Sequence, residues 1–378
     1  MSFLEIDEVE LTKALIKIDT RNPPGDTSQA VEFLENLFSS FKTRKYVSEE
    51  KESLLVEISK GEKTLMLSSH LDTVPCGEEL LNPVAVNGKL YGRGSADAKG
   101  CVASICSAAL SLPDSGIGLK LAFTADEEVG GKNGLRKVFE AEKCDAVVIG
   151  EPTGCDSINV IQGCVLAVDL EFEGKDGHTA ARDSREGAIF RASEFIIHAS
   201  EFFRNLKGNY ESYRSLFEGL GIPFTIKTWE AAFNPSMIEG GVKRNVVAPK
   251  CRLSADIRFA PWIGIEDILR FLKGDGVRLT VCGFLPAYGM LCDQVPLEKD
   301  LKLLKTISEA IMDEKIKPKA LFTLGVGDTR HVRRFGIPAF YFGPGGGDLH
   351  GEDEFVYISE LRTATRIYRR IAENFRRF

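Results

Sequence analysis

The chain has 378 residues, 43% of them apolar and 9% aromatic, enough to fill two or more domains with buried core. Its 48 basic and 55 acidic residues give a net charge of −7, and the basic ones are scattered instead of gathered in runs, which excludes nucleic acid or an anionic membrane as the expected partner. The start, MSFLEIDEVE, is acidic and lacks the segments of a secretory signal, and no apolar run approaches the roughly 18 residues of a membrane span. The sequence thus reads as soluble and cytoplasmic. Nine cysteines without CxxC spacing read as reduced, mostly buried thiols.

Two amphipathic helices are predicted to open the chain, the second capped at Asp26 or Thr27 with Val31, Leu34, Phe38 and Phe41 on one face. Short apolar runs at Leu54–Ile58, Leu65–Leu67, Leu119–Phe123 and Ala146–Ile149 then alternate with helical segments near 98–111 and 133–141. That is the rhythm of a sheet with crossover helices, an α/β fold. From about residue 164 the pattern changes. CVLAVDLEFEG alternates as a strand exposed on one face, followed by a helix near 186–206, strands near 222–230 and 251–258, and a helix near 264–274. After about residue 285 the first style resumes, with a helix near 298–314, strands at Ala320–Leu324 and Ile337–Phe342, and a terminal helix from Ser359. The expected architecture is a catalytic domain, residues 1–164 and 285–378, interrupted by a small inserted α+β domain at 165–284.

The chemistry gathers at strand ends. Strand Leu65–Ser69 runs into His70-Leu71-Asp72, where side-chain alternation puts His70 and Asp72 on one side; a ligating histidine commonly gives its second N–H to an acid, which is the place assigned to Asp72. The glycine-rich YGRGSADAKG lacks phosphate-loop spacing and instead lets backbone approach Asp97, whose two oxygens can bridge two cations. In Asp126-Glu127-Glu128 consecutive acids repel unless neutralised, and one glutamate can bind metal while its neighbour takes a proton from bound water. Glu151 closes strand AVVIG, and His350 follows the last strand through a run of glycines. Open α/β sheets bind ligands beyond the carboxyl ends of their strands. Two histidines and three carboxylates, one acid shared, leave each of two ions room for water, and nitrogen and oxygen donors suit zinc, with cobalt or manganese as substitutes.

These residues resemble the acetylornithine deacetylase and succinyl-diaminopimelate desuccinylase family, which includes aminoacylases, carboxypeptidases and some di- and aminopeptidases. SSHLDTVP, YGRGSADAKG, TADEEVGG, GEPT, GHTA, RNVVAPKCRLSADIRF and LHGEDEF follow in the family's order over nearly the whole chain. The resemblance implies a zinc-exopeptidase-like mixed sheet with helices on both faces and an inserted ferredoxin-like domain that serves as lid and often dimerises. It implies His70 and Glu151 on one zinc, Glu128 and His350 on the other, Asp97 as bridge and Glu127 as general base and acid. His178 of the GH[ST] motif is implied as oxyanion donor, and Asn245 and Arg258 as partners of the substrate carboxylate. His331 and His198 read as packing or surface histidines.

Within the family, glutamate at the GEP position is typical of deacylases and carboxypeptidases, so Glu151 favours an acylated amino acid over a peptide N-terminus. N-acetylornithine ranks first as substrate, ahead of acetyl-lysine and succinyl-diaminopimelate, which places the activity in arginine or lysine biosynthesis. The loop Gly325–Arg330 keeps only part of the desuccinylase pattern SGGTSDGR, so succinyl recognition is not implied there. A di- or carboxypeptidase of the same family is the nearest alternative, and a non-catalytic metal-binding relative a remote one.

Overall fold

A computed structural model of the chain describes residues 6–112, 116–227, 229–274 and 276–378. By its contacts the chain divides into two units, Met1–Val160 with Gly289–Leu321 and Gly327–Phe378, and Ile161–Tyr288 with Phe322–Val326.

The first unit is built on a mixed sheet. Neighbouring strands run in the order Lys42–Ser48, Lys51–Ser59, Gly118–Thr124, Thr64–His70, Ala146–Gly150 and Ala339–Phe342. The last four are mutually parallel, and the register sets His70 opposite Thr124 and Gly150 opposite Phe342, so their carboxyl ends lie level. On one face Leu55, Met66, Ala122, Val147, Ile149, Ala339 and Tyr341 pack onto helix Leu135–Ala141 and Val332, the period-two pattern of a pleated strand. On the other face lies helix Lys99–Leu110, buried along its length except at Leu110, with helices Glu8–Ile16 and Ile358–Asn374 against its outer side. Its sequence, KGCVASICSAAL, is rich in small residues that let three neighbours approach closely. Each fully buried leucine or isoleucine of these layers contributes about 1.5–3 kcal/mol.

The second unit is an antiparallel sheet in the order Ala231–Gly240, Lys250–Phe259, Cys164–Glu173 and Val277–Leu285, with helices Ala188–Asn205 and Ile265–Leu272. Chain order β-α-β-β-α-β makes it ferredoxin-like. Phe195 and Phe202 of the first helix pack on Phe271 of the second, the latter pair stacked at 4.0 Å.

Several elements differ from the sequence reading. The second helix is Ser28–Leu37, so Val31, Leu34 and Phe38 are buried while Phe41 lies beyond the helix end. The polar edge strand Lys42–Ser48 carried no apolar alternation to reveal it. The strand expected near 222–230 divides into the short Phe224–Ile226 and the long Ala231–Gly240. The latter, AAFNPSMIEG, bulges between Pro235 and Met237 and is largely exposed at the sheet edge, where proline is tolerated. Helix Glu211–Gly219 and the exposed strand Val277–Leu285 were likewise not expected. All nine cysteines are free, and among the described residues no helix is long and apolar enough to cross a membrane.

Candidate metal centre

The expected metal donors and Glu127 converge beyond the carboxyl edge of the parallel strands of the first unit, whereas Asp126 turns away to pair with Lys51. His70 ends its strand, Glu127 and Glu128 follow Thr124 in a short turn of 3-10 helix, Glu151 follows Gly150, and His350 comes from the loop after Phe342. Asp97 sits just before helix Lys99–Leu110. Its two oxygens divide between the histidines: His70 Nε2 lies 3.0 Å from Oδ1 and His350 Nε2 lies 3.2 Å from Oδ2. His70 Nε2 is also 3.8 Å from Glu151 Oε1, and His350 Nε2 is 3.4 Å from Glu128 Oε2. The result is two triads, His70-Asp97-Glu151 and Asp97-Glu128-His350, whose donor atoms lie within 4.8 Å of one another.

These residues fit a pair of cations. Donors about 2.0–2.2 Å from a tetrahedrally held ion stand roughly 3.3–3.6 Å apart, and the contacts here, from 3.0 to 3.8 Å, bracket that spacing. Glu128 Oε1 is buried without a hydrogen-bond partner among the described residues, an unmet acceptor that a cation would satisfy. The electrostatics agree. Burial, reinforced by the Asp97 charge, pushes the Glu127 carboxyl up to about 7 and Glu128 up to about 8, and raises Glu151 well above the usual carboxylate range. Burial works against a charged His70, but its contacts with Asp97 and Glu151 outweigh that and hold its pKa well above the ordinary value. Acids so crowded hold protons or cations.

Asp72 takes a place different from the one expected. His70 Nδ1 is 2.9 Å from the main-chain carbonyl oxygen of Asp72, while the nearer carboxylate oxygen is 3.7 Å away. The carboxylate instead accepts the backbone N–H groups of Glu127 at 3.1 Å and Glu128 at 3.2 Å, and the Asn22 side-chain amide at 2.9 Å. Asp72 therefore orients the histidine through its backbone and the two glutamates through its side chain. Two hydrogen bonds from consecutive amides are what a carboxylate at the mouth of a tight turn can accept, and they leave it little freedom to reach the imidazole.

Within the first unit Gly327 lies against Glu127. A Cβ at Gly327 would stand 2.5 Å from Glu127 Oε1 and 2.4 Å from the Tyr341 hydroxyl, so a side chain there would displace the ends of both. His331 is buried with Nε2 3.0 Å from the Gly130 carbonyl oxygen, which can only accept, so the ring is the Nε2–H tautomer. Burial and the nearby Arg330 charge lower its pKa to about 4. An unfolded histidine near 6.5 binds a proton that the folded one refuses, so this group costs stability as pH falls from about 6.5 toward 4. The protein is expected to lose about 2 kcal/mol more between pH 7 and pH 5 than a His331→Gln variant at equal metal loading, measured by denaturant unfolding. An equal loss in both proteins would mean that His331 titrates normally. His198, by contrast, is an exposed helix residue.

With this geometry in place, comparison with known proteins is decisive. Residues 66–374 match the family described as Peptidase family M20/M25/M40. The chain belongs to that family. It is a metal-dependent amide hydrolase. It is 28% identical over 330 residues to the acetylornithine deacetylase of Myxococcus xanthus, covering 83% of this chain and 81% of that one. A [LysW]-lysine/[LysW]-ornithine hydrolase of Sulfurisphaera tokodaii is 24% identical over 96% of both chains. Among solved structures the fold is shared with a tripeptidase from Staphylococcus aureus, at 18% identity, full coverage of both chains and a TM-score of 0.75. It is shared also with an M20 family metallo-carboxypeptidase from Sulfolobus solfataricus, at 17% identity, a TM-score of 0.70 and coverage of 99% and 100%.

The remaining candidates of this M20-family chain lie in the second unit. His178 pairs with Val246 in a two-residue bridge, and Thr179 N–H donates to the Asn245 carbonyl at 3.2 Å, so His178 and Asn245 are neighbours. His178 Nδ1 accepts the Ala180 N–H at 3.2 Å, which places its proton on Nε2. Arg258 stands apart from them, on strand Lys250–Phe259, with Nε 3.1 Å from Asp256 Oδ1. Two residues around the centre escaped the sequence reading altogether. Arg93 and Glu354 form a buried ion pair at 2.6 Å between the Asp97 turn and the His350 loop. Each lies inside a quoted motif, but nothing in spacing linked them.

Proposed function

We propose that the protein removes the acyl group from an N-acyl amino acid whose side chain is basic, with N-acetylornithine the first candidate. The observation that carries the reading is Asp97 dividing its oxygens between two histidine–glutamate pairs, with Glu127 beside them. The names of the curated relatives, an acetylornithine deacetylase and a hydrolase of lysine and ornithine adducts, support the substrate class. Zinc is proposed as the metal from the mixed nitrogen and oxygen donors, with cobalt or manganese as substitutes.

His70, Glu151 and Asp97 would hold one ion and Glu128, His350 and Asp97 the other; when bound, such cations acidify water and polarise an amide carbonyl. Glu127, a carboxyl beside both triads and in neither, takes the proton of the attacking water and returns it to the leaving amine. Asp72 keeps Glu127 and Glu128 in register through their backbone amides. We assign His178, with its proton on Nε2, as donor to the developing oxyanion, and Asn245 and Arg258 as partners of the substrate carboxylate. A homodimer formed through the ferredoxin-like unit and a place in amino-acid biosynthesis belong to the same reading.

Side-by-side turnover of N-acetylornithine, N-acetyl-lysine, N-succinyl-diaminopimelate and unblocked dipeptides tests it. Selective cleavage of an acylated basic amino acid is the expected result. Cleavage of dipeptides alone would keep the metal centre and overturn the substrate.

A further inference from the structure

Arg93 and Glu354 are separated by 261 positions in sequence and meet with side chains only 3% and 0% exposed. Glu354 Oε2 accepts Arg93 Nη1 at 2.6 Å and the Gly94 N–H at 3.1 Å; its Oε1 accepts the N–H groups of Ala96 and Asp97, each at 3.1 Å. The acid therefore fixes the turn that presents Asp97. Arg93 uses its other terminal nitrogen, Nη2, to donate to the carbonyls of His350 at 3.1 Å and Gly351 at 2.9 Å. It thereby holds a loop in which His350 takes a left-handed backbone, φ +65°, that a non-glycine residue rarely adopts unaided. The loops are also joined by the Gly92 N–H donating to the Glu354 carbonyl at 3.1 Å and by pairing of Tyr91 with Phe355.

A buried ion pair adds little net stability over apolar packing, because desolvating two charges offsets their attraction. Its distinctive contribution is geometric, since a guanidinium fork and a carboxylate fix direction as well as distance. Beyond the bond that joins the two side chains, Glu354 accepts from the backbone of Gly94, Ala96 and Asp97, and Arg93 donates to the backbone of His350 and Gly351, so both reach a metal-donor residue or its near neighbours.

We propose that Arg93 and Glu354 are positioning residues that set the spacing of the two metal sites, Glu354 by holding the shared Asp97 and Arg93 by holding His350. This rests on the two-cation reading of the centre. Arg93→Lys keeps a positive charge beside Glu354 but carries all its donors on one nitrogen, so it cannot reproduce the fork in which Nη1 meets Glu354 and Nη2 meets the two carbonyls. It is expected to weaken one of the two ions, that of the Asp97-Glu128-His350 triad, by roughly 10–100-fold, the range for residues that orient metal ligands. The ion of the His70-Asp97-Glu151 triad is expected to stay. Glu354→Gln loosens Asp97 and is expected to weaken both ions.

The test is competition of cobalt-loaded protein against a chelator, with the visible absorption of bound cobalt and the thermal midpoint recorded together. Arg333→Lys serves as the control, because Arg333 is equally buried, pairs with Asp293 at 2.6 Å and Asp300 at 2.8 Å, and touches no metal donor. The proposal predicts that Arg93→Lys alters the spectrum and affinity of one cobalt, whereas Arg333→Lys lowers the midpoint with both cobalts unchanged. Two unaltered cobalts in Arg93→Lys, or equal loss of both, would overturn it. A wild-type protein that binds fewer than two cobalts would overturn the two-cation reading itself, and the proposal with it.

Discussion

Replacing Glu127 by glutamine is expected to lower kcat by roughly 10^2–10^4-fold while the protein still binds two cations. The side chain belongs to neither donor triad, so the metals keep their ligands. The turn keeps its form as well, because Glu127 contributes a backbone N–H to Asp72 that any residue at 127 would supply. What the variant lacks is a carboxylate that can accept a proton and return it. Turnover of N-acetylornithine and metal content, measured on the same preparation, separate the outcomes. Near-normal turnover would remove Glu127 from proton transfer. Loss of a metal would make it a ligand.

The second large effect is expected at Asp97. Each of its oxygens faces a different histidine, at 3.0 and 3.2 Å, so Asp97→Asn replaces one oxygen by an NH2 group that repels a cation and removes a negative charge shared by both sites. Outer-shell changes cost about 10–100-fold in metal affinity. A bridging ligand should exceed that for both ions, and turnover should fall to the level of the metal-free protein. His350→Ala, by contrast, should weaken chiefly one ion, since His350 belongs to one triad only. If Asp97→Asn released a single ion and left the other at its normal affinity, Asp97 would be a terminal ligand and the centre would not be bridged.

The centre was legible because its parts obey one local rule. His70, Glu128 and Glu151 each follow an apolar strand, and parallel register then brings those strand ends level without further information. Asp72 was legible as a neighbour of His70 but not in its bonding, since the choice between carbonyl and carboxylate depends on where the Glu127 turn lies. Arg93 and Glu354 illustrate the general limit: an ion pair across 261 positions leaves no periodicity or spacing to read. In the fold, strands buried on both faces announced themselves, as AVVIG did. Lys42–Ser48 and Ala231–Gly240 did not, because an edge strand satisfies its backbone on one side only and can be polar or carry Pro235. Gly327 is the reverse case. It reads as an ordinary loop glycine until Glu127 and Tyr341 are seen to converge on it.

The most direct test of a two-cation amide hydrolase is to strip the protein with a chelator and titrate zinc or cobalt back while recording bound metal and hydrolysis of N-acetylornithine. Two sharing triads predict that the stripped protein is inactive and that turnover reaches its plateau as the second equivalent binds. Full turnover in the stripped protein, or a plateau at one equivalent with no second ion bound, would contradict the account.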